Sequence, residues 1–237
     1  MEDGKNKMNL KVIYEDNHII VVEKPVNIPS QGDKTGDEDM LTIIKAYLKE
    51  KYNKPGEVYL GLVHRLDRPT GGVMVFAKTS KAASRLSEQI RNKNFEKQYL
   101  CIVDGKIENE KGTFKDYLLK NEKTNTSKVV NPSELKSKLA KNAKEAILDY
   151  EVVKYNEEIN LSVVKVLLHT GRHHQIRVQF SSRNHSLYGD QKYGNRGRGK
   201  QLALWAYSLS FNHPTTKERL TFEDYPEKIG SWKILEE

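Results

Sequence analysis

Short apolar runs rich in β-branched and aromatic residues recur along this chain, each closed by turn residues, and this pattern most limits its fold. VIYEDNHIIVVEKP reads as a strand, an Asp16-Asn17 turn and a second strand. Tyr59 to Val63 and Val73 to Ala77 read as strands around the polar stretch His64-Arg65-Leu66-Asp67-Arg68-Pro69-Thr70-Gly71-Gly72. FEKQYLCIVDGKI reads as a strand ending at Asp104-Gly105. AILDYEVVKYNEEINLSVVKVLLH predicts a hairpin turning near Asn156, and ALWAYSLSFNHPTTKERLTF another, turning at His213-Pro214. Two segments carry a helical period. MLTIIKAYLKEKY places Leu41, Ile44, Tyr47 and Leu48 on one face. TSKAASRLSEQIRNKN can be capped by Thr79 or Ser80 and buries Ala82, Ala83, Leu86 and Ile90. Many strands and few helices predict an α+β fold with a largely antiparallel sheet.

Two segments resist this reading. In TGRHHQIRVQF, Ile176, Val178 and Phe180 alternate like a strand, yet His173, Ile176, Arg177 and Phe180 suit a helix. Residues 106–146 are polar and lysine-rich, with an Asn131-Pro132 turn, and are expected to be irregular apart from a short helix at SELKSKLAK. There are no internal repeats and no clear linker. A length of 237 residues fits one large domain or two fused lobes.

Composition excludes several classes. With 37% hydrophobic and 30% charged residues the chain is globular. No apolar run approaches the roughly 18 residues of a membrane span, and MEDGKNKMNLKV lacks the apolar core of a signal peptide. The single cysteine, Cys101, excludes an intramolecular disulfide framework and a cysteine-based zinc site, so a reducing cytoplasm is the simplest compartment. The net charge is +8 with a pI near 9.3, which favours a polyanion partner. From Arg172 to Lys200, seven bases (Arg172, Arg177, Arg183, Lys192, Arg196, Arg198, Lys200) stand against one acid, Asp190, leaving +6.

Asp67 is a carboxylate between two arginines on a Pro/Gly loop. Its bland reading is an Asx-turn that bonds nearby amides. A lone aspartate falls short of glycosidases, which generally need a second carboxylate, and of nucleases, which usually need metal-binding acids. A lone nucleophilic aspartate beside cations is a narrower design. His169, His173 and His174 cluster, but without His-Glu-x-x-His spacing or a nearby acidic ligand, so no metal is expected.

HRLDRPTGG, Tyr99 in FEKQYLCIV, TGRHHQIRV, GDQKYG, LALWAYSLSFNHPTTKERLTF and the opening VIYEDNHIIVVEKPVNIPS resemble, in order and at similar separations, the signature segments of the RluA family of RNA pseudouridine synthases. The resemblance covers nearly the whole chain. It implies an isomerase that breaks the N1–C1′ bond of a uridine in transfer or ribosomal RNA, turns the uracil and rejoins it through C5. No cofactor, metal or obligatory protein partner is implied. The essential aspartate of the family falls on Asp67, which either attacks C1′ or promotes loss of the C2′ proton; both routes stay open. The family arginine that pairs with it falls on Arg177, and the active-site tyrosine on Tyr99, whose ring can stack on the extruded base and whose hydroxyl can act as a general base or relay. An ordinary aspartate with pKa about 3.9 is ionised at neutral pH, and a neighbouring arginine keeps it so.

The Arg65 position implies a side chain that fills the space left by the flipped base, at a flipping cost of a few kcal/mol. His64, Arg68, Arg172, His174 and Lys192 are the other candidates for RNA contact. Gly171 is expected in a left-handed turn, and Asp190 to Gly194 in a loop near the same cleft. The resemblance also implies one catalytic domain over residues 1–237, two fused lobes on a shared, mostly antiparallel sheet, with Asp67, Tyr99 and Arg177 in the cleft and no amino-terminal S4-type domain. The chain departs from the family at Gly71, where serine is common, at His173, usually threonine, and at Gln179 and Trp205, which replace frequent histidines.

Overall fold

Asp16 closes the first hairpin by accepting the amides of His18 and Ile19 on one carboxylate oxygen, at 2.7 and 2.8 Å. This is the Asx chemistry expected of an Asp-Asn turn. The computed structural model describes residues 9–137, 140–195 and 197–236. The amino-terminal stretch 1–8, residues 138–139 of the expected short helix, and Arg196 of the basic stretch lie outside the described residues. The chain divides into two compact units, Met1–Phe95 with Leu209–Asp224, and Glu96–Ser208 with Tyr225–Glu237.

In the first unit, β1 (Val12–Glu15) pairs antiparallel with β2 (Ile19–Lys24). After α1 (Met40–Lys51) and the short β3 (Gly61–Leu62) comes β4 (Gly71–Ala77). β2 and β4 pair antiparallel from Ile19↔Ala77 to Lys24↔Gly72, and β3 pairs on the same strand. α2 (Ser80–Arg91) follows, capped by Thr79, whose hydroxyl accepts the Ala82 amide. Ile19, Val21, Val73, Val75, Ala77, Leu86, Phe95 and Phe211 make the core of this unit. The helical face of α1 is rotated from the expected one. Met40, Ile43, Ile44 and Leu48 are its buried residues, while Leu41 and Tyr47 are only half-buried, and Asp39 caps it.

The second unit opens with β5 (Glu96–Asp104) and continues with β6 (Lys111–Asn121), β7 (Thr126–Val130), β8 (Lys144–Asn156) and β9 (Leu161–Leu168). Their order is β5-β9-β8-β6-β7, and these pairings are all antiparallel. The expected irregularity of residues 106–146 is therefore wrong over β6, β7 and the start of β8. β6 and β7 form a hairpin, and a 3-10 turn, Pro132–Glu134, follows β7. Lys111 and Lys115 point outward from β6, while Phe114 and Leu118 are buried inward. α3 (Gln175–Ser181) resolves the ambiguous HQIRVQF segment as a helix. Phe180 packs edge-on against Phe114 and Tyr150, and Val178 against Leu118 and Ala146. Strand alternation and the register Tyr99↔Val166↔Tyr150 put Tyr99 on the sheet face that carries α3. β10 (Leu204–Asn212) runs from the second unit into the first and pairs there with β11 (Arg219–Glu223), the second expected hairpin.

Candidate active site

The polar stretch between β3 and β4 is held by its backbone. Ser30 Oγ donates to the Leu66 carbonyl at 2.9 Å and accepts the Leu66 amide at 3.1 Å. The Asn27 amide bonds the Arg68 carbonyl at 2.8 Å, and the Thr70 amide closes a turn onto the Asp67 carbonyl at 2.9 Å. Gly72 has φ 119°, a conformation in which a side chain would be strained. Within this frame the Asp67 residue is half-buried and Arg65 exposed.

Lys24, at the end of β2, is the main support of this loop and was not expected from sequence. Its side chain is fully buried, and Nζ donates to the carbonyls of Pro25 (2.9 Å), Ile28 (2.6 Å) and Arg68 (3.1 Å). Burial pushes the ammonium down to about 7, while the Asp67 charge pulls it up. Three carbonyl acceptors match the three N–H bonds of the charged form and not the two of an amine, so we take Lys24 as charged.

His64 and Arg68 point to structural work in this unit. His64 Nε2 accepts the Val75 amide at 3.1 Å, and its ring lies 5.4 Å from that of Phe95. Arg68 Nε donates to the Asn27 carbonyl at 3.1 Å, and its Nη atoms bond Thr35 and Asp37.

In the second unit, the loop from β9 to α3 is organised by Gln175. Its Oε1 accepts from Thr170 Oγ1 (2.8 Å) and the Arg172 amide (3.0 Å), and its Nε2 donates to the Ile147 carbonyl (3.1 Å). The left-handed residue here is His174, with φ 54°; Gly171, expected in that conformation, does not have it. A Cβ on Gly171 would instead stand 3.0 Å from Lys97 Nζ.

Arg177 lies in α3, only 4% exposed. Its Nε and Nη2 donate to the two carboxylate oxygens of Asp190 at 2.7 and 2.8 Å, a bidentate fork between buried groups. Asp190, 1% exposed, also accepts the amides of Lys192 and Tyr193 at 2.9 and 3.1 Å. Gly189 lets the chain make this turn, since its φ is +75° and a Cβ would come 2.0 Å from the Gln201 carbonyl oxygen. Tyr193 lies with its ring centre 5.1 Å from the Arg177 guanidinium. Its hydroxyl accepts the Ser127 amide at 2.7 Å and shares a hydrogen bond with His174 Nδ1, also at 2.7 Å. His174 is buried and stacked at 3.7 Å on His173. Burial first, then the neighbouring Arg177, holds its imidazole down to about 2, so it is neutral. The GDQKYG loop is thus the seat of the Arg177 side chain.

The three clustered histidines have separate partners: His169 pairs with Asp149 at 2.6 Å, His173 bonds Ser127 Oγ at 2.9 Å, and His174 bonds Tyr193. The basic stretch is also less free than its charge count suggests. Arg177, Arg183 and Arg198 pair with Asp190, Asp116 and Asp104, two of those acids coming from distant strands. Arg172 and Lys192 remain exposed, each with one donor on a carbonyl, of Glu145 and Asn125. Tyr99, 6% exposed, sits in β5 opposite Val166.

Residues 18–182 match the family model described as RNA pseudouridylate synthase. An uncharacterized RNA pseudouridine synthase of Aquifex aeolicus is 35% identical over 96% of this chain and 73% of its own length. In Haemophilus influenzae, ribosomal large subunit pseudouridine synthase C is 32% identical over 90% of this chain and 64% of its own, and tRNA pseudouridine synthase C is 30% identical over 90% and 91%. The solved structure of human RNA pseudouridylate synthase domain containing 1 superposes with a TM-score of 0.75 over 98% of this chain and 89% of that one, at 24% identity, a likeness of fold. On the family model and these relatives, the chain belongs to the RluA family of RNA pseudouridine synthases and is such an isomerase.

Proposed function

We propose that this enzyme converts one or a few specific uridines of transfer or ribosomal RNA to pseudouridine, with Asp67 as the essential carboxylate. The reading is carried by the Asp67 loop, whose backbone is bonded at residues 66, 67, 68 and 70 around a buried lysine. Such a frame presents one carboxylate with little freedom, as positioning for chemistry requires. The N1–C1′ bond breaks, a C5–C1′ bond forms, C5 gives up its proton and N1 gains one. Atoms and electrons balance without an oxidant, a hydrolytic water or a cofactor.

Tyr99 and Arg177 belong to the other unit. Arg177 is assigned to the reaction by the resemblance alone, as is Tyr99, which stacks on the uracil, a contact worth about 1–3 kcal/mol, or serves the C5 proton. Arg65, exposed beside Asp67, takes the space of the flipped base. Arg172 and Lys192 contact phosphate, and His64, Arg68 and His174 act by holding their loops. Both units together form the catalytic domain, and relatives named for ribosomal and transfer RNA support a cytoplasmic place of work.

Tritium release from RNA labelled with [5-³H]uridine tests the reading, because C5 loses its hydrogen only when the base is rejoined there. RNA from cells lacking the gene is the substrate. Wild type should release tritium, and Asp67→Asn should release none while still binding RNA. Release by Asp67→Asn would end the assignment of Asp67.

A further inference from the structure

Among the described residues, Lys97 is a cation with no acidic partner. It lies in β5, two residues before Tyr99, so the two side chains share the sheet face that carries α3. The residue is half-buried, and burial alone lowers the pKa of its ammonium. Among the described residues, no hydrogen bond or ion pair is recorded for Nζ. Lys24, another interior lysine, has three carbonyls on its ammonium, and Arg177 has a carboxylate. The Lys97 tip is set against Gly171, where a Cβ would come within 3.0 Å of it, in the loop that leads from β9 to the Arg177 helix. A desolvated, unpaired charge is unfavourable in the free protein, and such a charge is retained where a ligand supplies the missing partner.

We propose that Lys97 binds a phosphate of the substrate RNA, at or next to the target nucleotide. The proposal rests on the reading that Tyr99 faces the reacting nucleotide. The substrate is a polyanion, and a poorly solvated ammonium gains most from a phosphate oxygen because it has little water to lose. A glycine at 171 leaves room for that approach beside the cation. Lys97 is a substrate-binding residue in this scheme, with no proton to transfer.

The experiment measures binding of RNA from cells lacking the gene to wild type, Lys97→Met and Lys97→Arg from about 50 to 300 mM KCl. Lys97→Met should weaken binding several-fold at 100 mM salt and reduce the slope of log K against log[salt] by about 0.7–0.9, one phosphate contact. Lys97→Arg should restore the slope. Thermal melts should show Lys97→Met at least as stable as wild type, since the variant removes an unpaired desolvated charge. In parallel, an amine-acylating reagent at pH 7.5 with peptide mapping should label Lys97 in free protein and spare it when the same RNA is bound, while exposed Lys81 is labelled in both. An unchanged slope, which a contact to a neutral uracil carbonyl would also give, overturns the proposal, as does a melt that falls sharply in Lys97→Met. These readouts need no turnover. Activity retained by Asp67→Asn would sink the catalytic assignment and leave the Lys97 result standing on its own.

Discussion

Replacing Lys24 by methionine removes an ammonium from beneath the Asp67 loop while nearly preserving its volume. Three bonds to the carbonyls of Pro25, Ile28 and Arg68 disappear together. Bonds to a charged group contribute about 1.5–3 kcal/mol each, so the gross loss is about 5–9 kcal/mol. Against this stands relief from burying the charge. The fall from 10.5 to about 7 corresponds to about 5 kcal/mol at about 1.4 kcal/mol per pH unit. The difference leaves a net destabilisation of about 0–4 kcal/mol, and its midpoint of about 2 kcal/mol corresponds to a drop of about 4–8 °C in Tm for a chain of this size. The Arg68 carbonyl follows Asp67 in the chain and loses one of its two donors, the other being the Asn27 amide. The loop should therefore loosen, and kcat for tritium release should fall by more than tenfold with KM little changed. Melting curves and single-turnover rates on the same preparation read both effects. A Lys24→Met protein as stable and as active as wild type would refute the idea that this ammonium frames the loop.

Three further outcomes follow from the second unit. Asp190→Asn leaves the buried Arg177 charge without its carboxylate, and urea titration should show a loss of about 3–5 kcal/mol with activity abolished. Tyr193→Phe strips the acceptor from the Ser127 amide and the hydrogen-bond partner from His174 Nδ1 but keeps the ring beside Arg177, so it should cost about 1–3 kcal/mol in stability and retain measurable turnover, whereas Tyr193→Leu should lose it. In acid, the His174 imidazole of the unfolded chain takes up a proton below about 6.5, while the folded one resists until about 2. The unfolded state then holds more protons, so stability falls as pH drops from 6.5 towards 2, by up to about 1.4 kcal/mol per pH unit. His174→Gln should flatten that part of the pH–stability curve.

The strands were legible where burial and turn chemistry agreed. The run Ile19 to Val22 is wholly buried in β2, and the Asp16 turn before it declares itself in the sequence. The hairpin of β8 and β9 turns just after Asn156, as its alternation indicated. β6 was missed because lysines on its outward face mask the inward Phe114 and Leu118. α3 was undecidable because all six residues from Gln175 to Phe180 are buried, which leaves no polar face to betray the helical period. For the candidate site, Asp67, Tyr99 and Arg177 were proposed from the motifs that hold them. Their supports were not. Lys24 bonds main-chain carbonyls, which carry no side-chain signal, and Asp190 looked like a loop acid until the fold brought it to Arg177. Gly171 was read as a turn, although its smallness matters for Lys97.

Carbodiimide-based mapping of pseudouridine across total RNA, in cells carrying the wild-type gene, Asp67→Asn or no gene, puts the central claim to its most direct test. The account predicts a small set of sites present with the wild-type gene and missing from both other strains. A site restored by Asp67→Asn, or no site that depends on the gene at all, would contradict it.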